Sequence, residues 1–414
     1  MNVKKIIVVG AGPAGMMAAI RAAQKAQQVT LIEKNSSPGK KLLLSGKGRC
    51  NLTNTSDLNF FIERFSENGQ FLRDAFKKFF HPQLMRFFQE RGLELEVERQ
   101  QRVFPAGGKS QAVLEVLKQE LNRLKVNVMY NSELKDIAIE DGRIKGISLR
   151  DGRYLTADRL ILATGGVSYS FTGSTGDDIR LAEKLGHRIV ALRPALVPLE
   201  TKQKDPAALM GLTLKNIRLK FSDGKKEIDS GVGELLFTDF GISGPLVLSL
   251  SGRIAEWISS GGNVFVTIDL KPALTAEQLD RRLLREFKLS PKKNLKNTLK
   301  GLLPLRLIEV FIGILKISPD KKTSHLSQKE RRQIIGLLKG LRLDIVACRP
   351  IEEAMVTRGG VSAKDINPRT MESRVVAGLY FAGEMVDISA DTGGFNLQAA
   401  FSTGYLAGES AGLN

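Results

Sequence analysis

The chain has 414 residues, with 62 Lys+Arg against 44 Asp+Glu and a formal net charge of +18. At ~100–200 residues per domain this length predicts two or three domains, and 42% hydrophobic with 26% charged residues excludes global disorder. Two cysteines, Cys50 and Cys348, are too few for a disulfide framework, and His81, His187 and His325 lack partners at metal-ligand spacing, so no structural metal is expected.

The N-terminus runs from Met1-Asn2-Val3-Lys4-Lys5 through a short apolar stretch into a glycine-rich turn, too soon interrupted for a signal segment. The apolar stretch 302–317 contains Pro304, Arg306, Glu309 and Lys316, so it does not read as a membrane span. A cytoplasmic protein with no membrane partner is the expectation. Residues 5–9 form a continuous apolar strand pattern, 14–25 a helix and 29–33 a second strand, an alternation that predicts a parallel sheet covered on both faces. Residues 110–124 read as a capped amphipathic helix, and 134–155 as an antiparallel meander with Asp141-Gly142 and Asp151-Gly152 turns. Residues 191–272 look β-rich, with short apolar runs between glycine turns. The window 273–340 changes texture: it is Leu/Lys-rich, helical in pattern, and broken at Pro291, Pro304 and Pro319. Its 68 residues hold 16 Lys+Arg and 6 acids, a net +10. After it the opening style returns, with a buried strand at 378–382 and a helix over 395–408. The fold class is therefore α/β with a discontinuous Rossmann-like domain. Its boundaries are 1–190 and 353–414, with a β-rich middle domain at 191–272 and 341–352 and a basic helical insert at 273–340.

Gly10-Ala11-Gly12-Pro13-Ala14-Gly15 follows a strand and opens a helix, and the second strand ends in Glu33. That context is what a dinucleotide fingerprint requires. Gly10 allows the tight turn, Gly12 lets backbone approach a pyrophosphate, and Gly15 permits close helix–strand packing. Glu33 suits ribose hydroxyls, and an acid here favours FAD or NAD over NADP. Lys34 and Lys41 add positive charge nearby. The segment 38–54 includes Ser45, Gly46, Arg49, Cys50, Asn51 and Thr53. It suits a loop wrapping pyrophosphate and approaching a reactive ring, and composition leaves it equally readable as a surface loop. Ala163-Thr164-Gly165 ends a buried strand, where a cofactor passes close to backbone. Gly383-Glu384 and Asp387 end another strand, suited to a ribityl chain, and Gly394-Phe395-Asn396 opens a helix whose N-terminus favours negative charge.

Four strings together resemble the BaiN/RdsA family of NAD(P)/FAD-dependent oxidoreductases over essentially the whole chain. They are Ser45-Gly-Lys-Gly-Arg-Cys-Asn-Leu-Thr-Asn54, Phe237-Thr-Asp-Phe-Gly-Ile-Ser-Gly-Pro245, Thr357-Arg-Gly-Gly-Val361 and Gly383-Glu-Met-Val-Asp387 with Gly393-Gly-Phe-Asn396. The family includes aminoacetone-oxidase-like and ribosomal RNA dihydrouridine synthase types. The resemblance implies an FAD domain, a β-barrel-like middle, a small helical domain and NADH or NADPH as transient reductant. Asp239, Ala390 and Phe395 depart from the residues the family more often shows there.

There is no second GxGxxG and no CxxC, which argues against a disulfide reductase. The family's activities share reduction of a carbon–carbon double bond conjugated to a carbonyl, in steroid enones or in ribosomal RNA uracil. A cation-rich insert matches an RNA backbone better than a steroid, so ribosomal RNA is the expected partner through Lys/Arg of 273–340. Arg49 and Asn51 are candidates for orienting the carbonyls, and Cys50 for donating a proton or for packing. A steroid-type reductase, a different FAD-dependent RNA-modifying enzyme such as a folate-linked methyltransferase, and a non-catalytic FAD-bearing RNA-binding protein remain open alternatives.

Overall fold

A computed structural model describes residues 3–25, 27–65, 67–203 and 205–413. The chain forms two compact units, one from 1–195 with 350–414 and the other from 196–349.

The first unit is built on a five-stranded parallel sheet. Its strand order is Leu379–Phe381, Arg159–Leu162, Lys5–Val9, Gln28–Ile32 and Asn127–Met129. The chain leaves Lys5–Val9 toward one sheet edge, then returns to its other side with Arg159–Leu162. That reversal opens a crevice at the end of the first strand, where open α/β sheets bind ligands.

The helix Pro13–Ala23 follows, with Pro at its first turn where the missing N–H costs nothing. Its Ala- and Met-rich face is buried against the C-terminal helix Phe395–Gly412. Gly408 reads in sequence as a helix stop, yet the helix continues for another turn. The reason is packing: a Cβ on Gly404 would lie 2.2 Å from the Ala14 carbonyl oxygen, and one on Gly408 2.2 Å from that of Ala18. These glycines let two helix backbones touch. The meander appears as strands Leu134–Glu140, Arg143–Leu149 and Tyr154–Thr156. The helix Ser110–Arg123 forms without a side-chain cap; the Ser110 hydroxyl instead donates to the Leu43 carbonyl at 2.9 Å.

In the second unit a seven-stranded antiparallel sheet closes on itself. The long strand Thr213–Ser222 pairs with Gly233–Phe237 near its start and with Phe265–Asp269 toward its end. A register shift between Leu214 and Ile217, with Asn216 at φ 55°, bends the strand enough to serve both partners. The helices Ala276–Leu289, Leu295–Leu299, Leu305–Leu315 and Gln328–Lys339 follow the predicted proline breaks. Two of them begin in reciprocal caps, Thr275 with Gln278 and Ser327 with Glu330. Their apolar residues, such as Leu283, Phe311 and Leu338, share one hydrophobic cluster with strand residues Phe221, Val266 and Leu343. Among the described residues no helix is long and apolar enough to cross a membrane.

Replacing Gly404 by Ala should lower stability by about 1–3 kcal/mol through overpacking. Replacing Gly336, whose Cβ would meet nothing within 4 Å in an exposed part of a helix, should raise it by about 0.8–1 kcal/mol. Thermal unfolding of the two variants separates a packing glycine from a tolerated one.

Candidate functional site

At the crevice, Gly10 adopts φ 97°, and a Cβ there would lie 2.7 Å from the Ala163 carbonyl oxygen. A Cβ on Gly15 would fall 1.8 Å from the Gly10 oxygen. Gly12 differs, because a Cβ on it would meet nothing within 4 Å. Gly10 and Gly15 thus serve packing, whereas Gly12 borders open space. Glu33 is buried, and its Oε2 accepts the Ala11 N–H at 2.8 Å. Its Oε1 accepts both the backbone N–H (2.9 Å) and the side-chain amide (2.7 Å) of Asn35.

The strand end Ala163-Thr164-Gly165 leads into a polar turn tied to the Glu33 side of the crevice. Lys34 Nζ donates to Thr175 Oγ1 at 2.9 Å, and the Asn35 amide to the Thr172 carbonyl at 2.9 Å. Asp178 opens the following helix half-buried. Burial pushes its carboxyl up to about 6, against the opposing pull of a Thr164 hydrogen bond and the Lys34 charge.

The segment after Gly39 folds into a short helix, Lys40–Leu44, and a tight turn. Gly46, Lys47, Gly48 and Cys50 all adopt positive φ in that turn. Glycine takes such backbone freely, whereas Lys47 and Cys50 are held in it by the surrounding structure. The Ser45 hydroxyl donates to the Leu42 carbonyl at 2.6 Å, and the Cys50 N–H to the Ser45 carbonyl at 3.0 Å. The Asn51 amide braces two segments. Its oxygen accepts the Gly394 N–H at 3.0 Å, and its nitrogen donates to the Thr53 carbonyl at 3.2 Å, an orientation assigned from these partners. The Thr53 hydroxyl donates to Gln398 Oε1 at 2.6 Å, fastening the same turn to the C-terminal helix.

Lys41 reaches across to the C-terminal strand end. Its ammonium donates to Ser168 Oγ (2.7 Å) and to both carboxylate oxygens of Glu384 (2.9 and 2.7 Å). The Thr357 N–H and the Ser168 hydroxyl also donate to Glu384 Oε1, at 2.7 and 2.9 Å. Burial pushes this carboxyl up, but the Lys41 charge and these hydrogen bonds outweigh burial and hold it below the usual carboxylate range. Asp387 sits differently. Burial pushes it up, only partly offset by the Asn68 amide at 2.8 Å, the Gly359 N–H and the Arg358 charge.

The candidates for chemistry separate. Cys50 is fully buried within the main apolar cluster, and burial pushes its thiol up to about 12, so it holds its proton at neutral pH. Its place is a packing one. Arg49 is exposed, paired with Glu98 and lying 4.3 Å from the centroid of the Phe104 ring. The Phe395 ring is buried edge-on to Phe61 at 4.7 Å between centroids, so it packs inward. Asn396 closes the preceding loop by accepting the Ala390 N–H and donating to the Ala390 carbonyl, both at 2.9 Å. In the sequence Thr357 stands only inside a motif string, and no motif assigns a role to Gln398 or Asp178. Gln398, Ser402 and Thr403 stand among the small and apolar residues in the middle of the C-terminal helix, and all three are buried. Among the described residues no cluster of three or more His, Cys, Asp or Glu is placed to hold a metal.

Asp178 titrates higher in the folded chain than in the unfolded one, so its contribution to stability is full below about pH 4 and is lost as pH rises through about 6. Asp178→Asn should remove that loss, making the variant more stable at pH 7 by at most about 3 kcal/mol and flattening the profile between pH 4 and 7. Denaturant unfolding across this range checks it.

Known proteins share this architecture. The HI0933-like protein Rossmann domain family matches residues 4–410. The chain is 33% identical over 411 residues to the 3-dehydro-bile acid delta(4,6)-reductase of Clostridium scindens, covering 98% of each. It is 30% identical to the ribosomal RNA dihydrouridine synthase of Escherichia coli K12, covering 97% of this chain and 96% of the relative. Among solved structures, the 3-ketosteroid delta1-dehydrogenase of Sterolibacterium denitrificans has the same fold at a TM-score of 0.54 and 14% identity, with full coverage (100%) of both chains. The glycine-rich crevice, the acid at the second strand and the near-complete matches lead to one assignment: the chain belongs to the HI0933-like Rossmann family, a family of FAD-dependent oxidoreductases.

Proposed function

We propose that this protein uses NADH or NADPH and FAD to reduce a carbonyl-conjugated carbon–carbon double bond, its substrate being uracil in ribosomal RNA. The observation that carries the RNA reading is how the cations of 273–340 divide. Arg282, Lys296, Lys321, Arg331 and Lys339 are neutralised by Glu286, Glu309, Glu330, Asp280 and Asp269. Arg281, Arg285, Lys288, Lys292, Lys329 and Arg332 are exposed and enter no ion pair among the described residues. On the helix Ala276–Leu289, positions 281, 285 and 288 lie opposite the buried Leu279, Leu283 and Phe287, so the free charge forms one outward stripe. A phosphate backbone is a natural partner for such a stripe. A steroid-type enone substrate is the second reading, favoured by the 33% identity to the bile acid reductase.

The residues fit FAD. Gly12 borders open space where backbone can approach a pyrophosphate, Glu33 offers a buried carboxylate for ribose hydroxyls, and Glu384 one for the ribityl chain. Bound FAD would supply the hydride chemistry. Of the three residues offered for substrate, Asn51 is committed to bracing Gly394 and Cys50 to packing. Arg49 remains as the exposed donor for a substrate carbonyl, and its pairing with Glu98 across the Phe104 face sets its direction.

Cofactor binding, product formation and RNA binding each test the reading. Gly12→Ala should leave the folded chain's thermal stability unchanged, because its Cβ meets nothing, while weakening FAD binding at least tenfold; unchanged FAD affinity removes the cradle assignment. Purified protein with NADPH should form dihydrouridine in unmodified ribosomal RNA. Alanine at Arg281, Arg285, Lys288 and Arg332 together should lower the salt slope of RNA binding by about 3. Turnover of a Δ4-steroid enone without RNA reduction decides for the second reading.

A further inference from the structure

Lys41 sits where the sequence suggests a phosphate ligand, but its bonding leaves no donor for one. An ammonium has three N–H donors. Here they meet three acceptors, Ser168 Oγ and the two oxygens of Glu384. Glu384 is asymmetric in return. Its Oε1 accepts three bonds, from Lys41, Ser168 and the Thr357 N–H, whereas its Oε2 accepts only Lys41. Each oxygen of an ionised carboxylate offers about two lone-pair sites, so Oε1 shares its sites among three donors while Oε2, with one bond, keeps one acceptor position. The pair remains accessible on one side, with 24% of the Lys41 side chain and 20% of the Glu384 side chain exposed.

The rest of the cluster is closed. Thr357 Oγ1 accepts the N–H groups of Val167 and Ser168 at 2.9 and 3.1 Å, and its hydroxyl donates to Ser168 Oγ at 3.1 Å. A Cβ on Gly166 would lie 2.3 Å from Thr357 Oγ1 and 3.1 Å from Glu384 Oε1, so the loop backbone lies directly against this cluster with no room for a side chain. Three segments that are distant in sequence, at Lys41, 166–168 and Thr357, therefore hold the Glu384 carboxylate with a single acceptor position open. An acceptor-only group of this kind selects a hydroxyl and repels a phosphate.

We propose that Lys41 is a positioning residue that acts through Glu384, keeping it ionised and fixing its Oε2 to accept a hydroxyl of the cofactor's polyol chain. This rests on the FAD reading above. Lys41 is the charged group facing Glu384; Ser168 and Thr357 are its neutral partners. Without the ammonium, burial is opposed only by hydrogen bonds, and the carboxyl protonates closer to neutral pH. Oε2 then becomes a donor and loses its charge-assisted acceptance.

The test is FAD retention against pH, read from flavin fluorescence on release, with far-UV circular dichroism to confirm folding. Wild-type retention should stay level from pH 8 to pH 5.5. Lys41→Met should bind FAD about tenfold more weakly at pH 8 and lose at least a further tenfold by pH 5.5. Lys41→Arg should restore the level profile, and Lys41→Met with Glu384→Gln should be weak but independent of pH. Should Lys41→Met not fold, Lys41→Gln carries the same comparison. A Lys41 variant whose profile runs parallel to that of a wild type which binds FAD overturns the role of Lys41 alone. A wild-type chain that retains no FAD overturns the FAD reading, and this role with it.

Discussion

Backbone-to-backbone contact around the N-terminal helix is the constraint on which the first unit depends. Gly15 rests on the Gly10 carbonyl, Gly404 on that of Ala14 and Gly408 on that of Ala18, while a Cβ on Gly383 would lie 2.8 Å from the Ala14 Cβ. One helix is thus clasped by the first strand, the C-terminal strand end and the C-terminal helix. Interiors this close-packed transmit strain and do not absorb an extra methyl cheaply. The same contacts bring residues 383–394 to the crevice made by residues 10–12. A site whose parts lie nearly 400 residues apart in sequence depends on them.

On that frame the polar groups fall into two kinds. Some are structural braces: the Asn51 amide on Gly394, the Thr53 hydroxyl on Gln398, and the Asn396 side chain on Ala390. Others keep unfilled capacity beside accessible space, as Glu384 Oε2 does. Residue type does not separate the two kinds, since Asn and Thr in a glycine-rich loop suit either. Hydrogen-bond bookkeeping separates them, because a buried amide with its donors and acceptors filled has nothing left for a ligand.

Charge follows a similar logic in the second unit. Composition places 16 Lys+Arg within 273–340, and ion pairs such as Arg331–Asp280 and Lys321–Glu330 neutralise some of them. What remains is a face rather than a total. The helix period puts Arg281, Arg285 and Lys288 opposite the apolar residues that enter the shared core. Long-range attraction of a polyanion depends on that residual pattern.

By itself the sequence determined whatever depends on neighbours within about a turn or a strand. That includes the glycine fingerprint, the strand–helix–strand opening, Glu33 at its strand end, and the basic helices with their proline breaks. The matched motif strings add the family. Tertiary structure decided what depends on distant partners: that Cys50 packs, that Phe395 points inward against Phe61, that the last helix runs past Gly408, and that Lys41 meets Glu384. The physical reason is range. Local hydrogen-bond and hydrophobic periods are written into adjacent residues, whereas burial, ion pairing and the filling of a carboxylate's lone pairs exist only once separate segments have packed together.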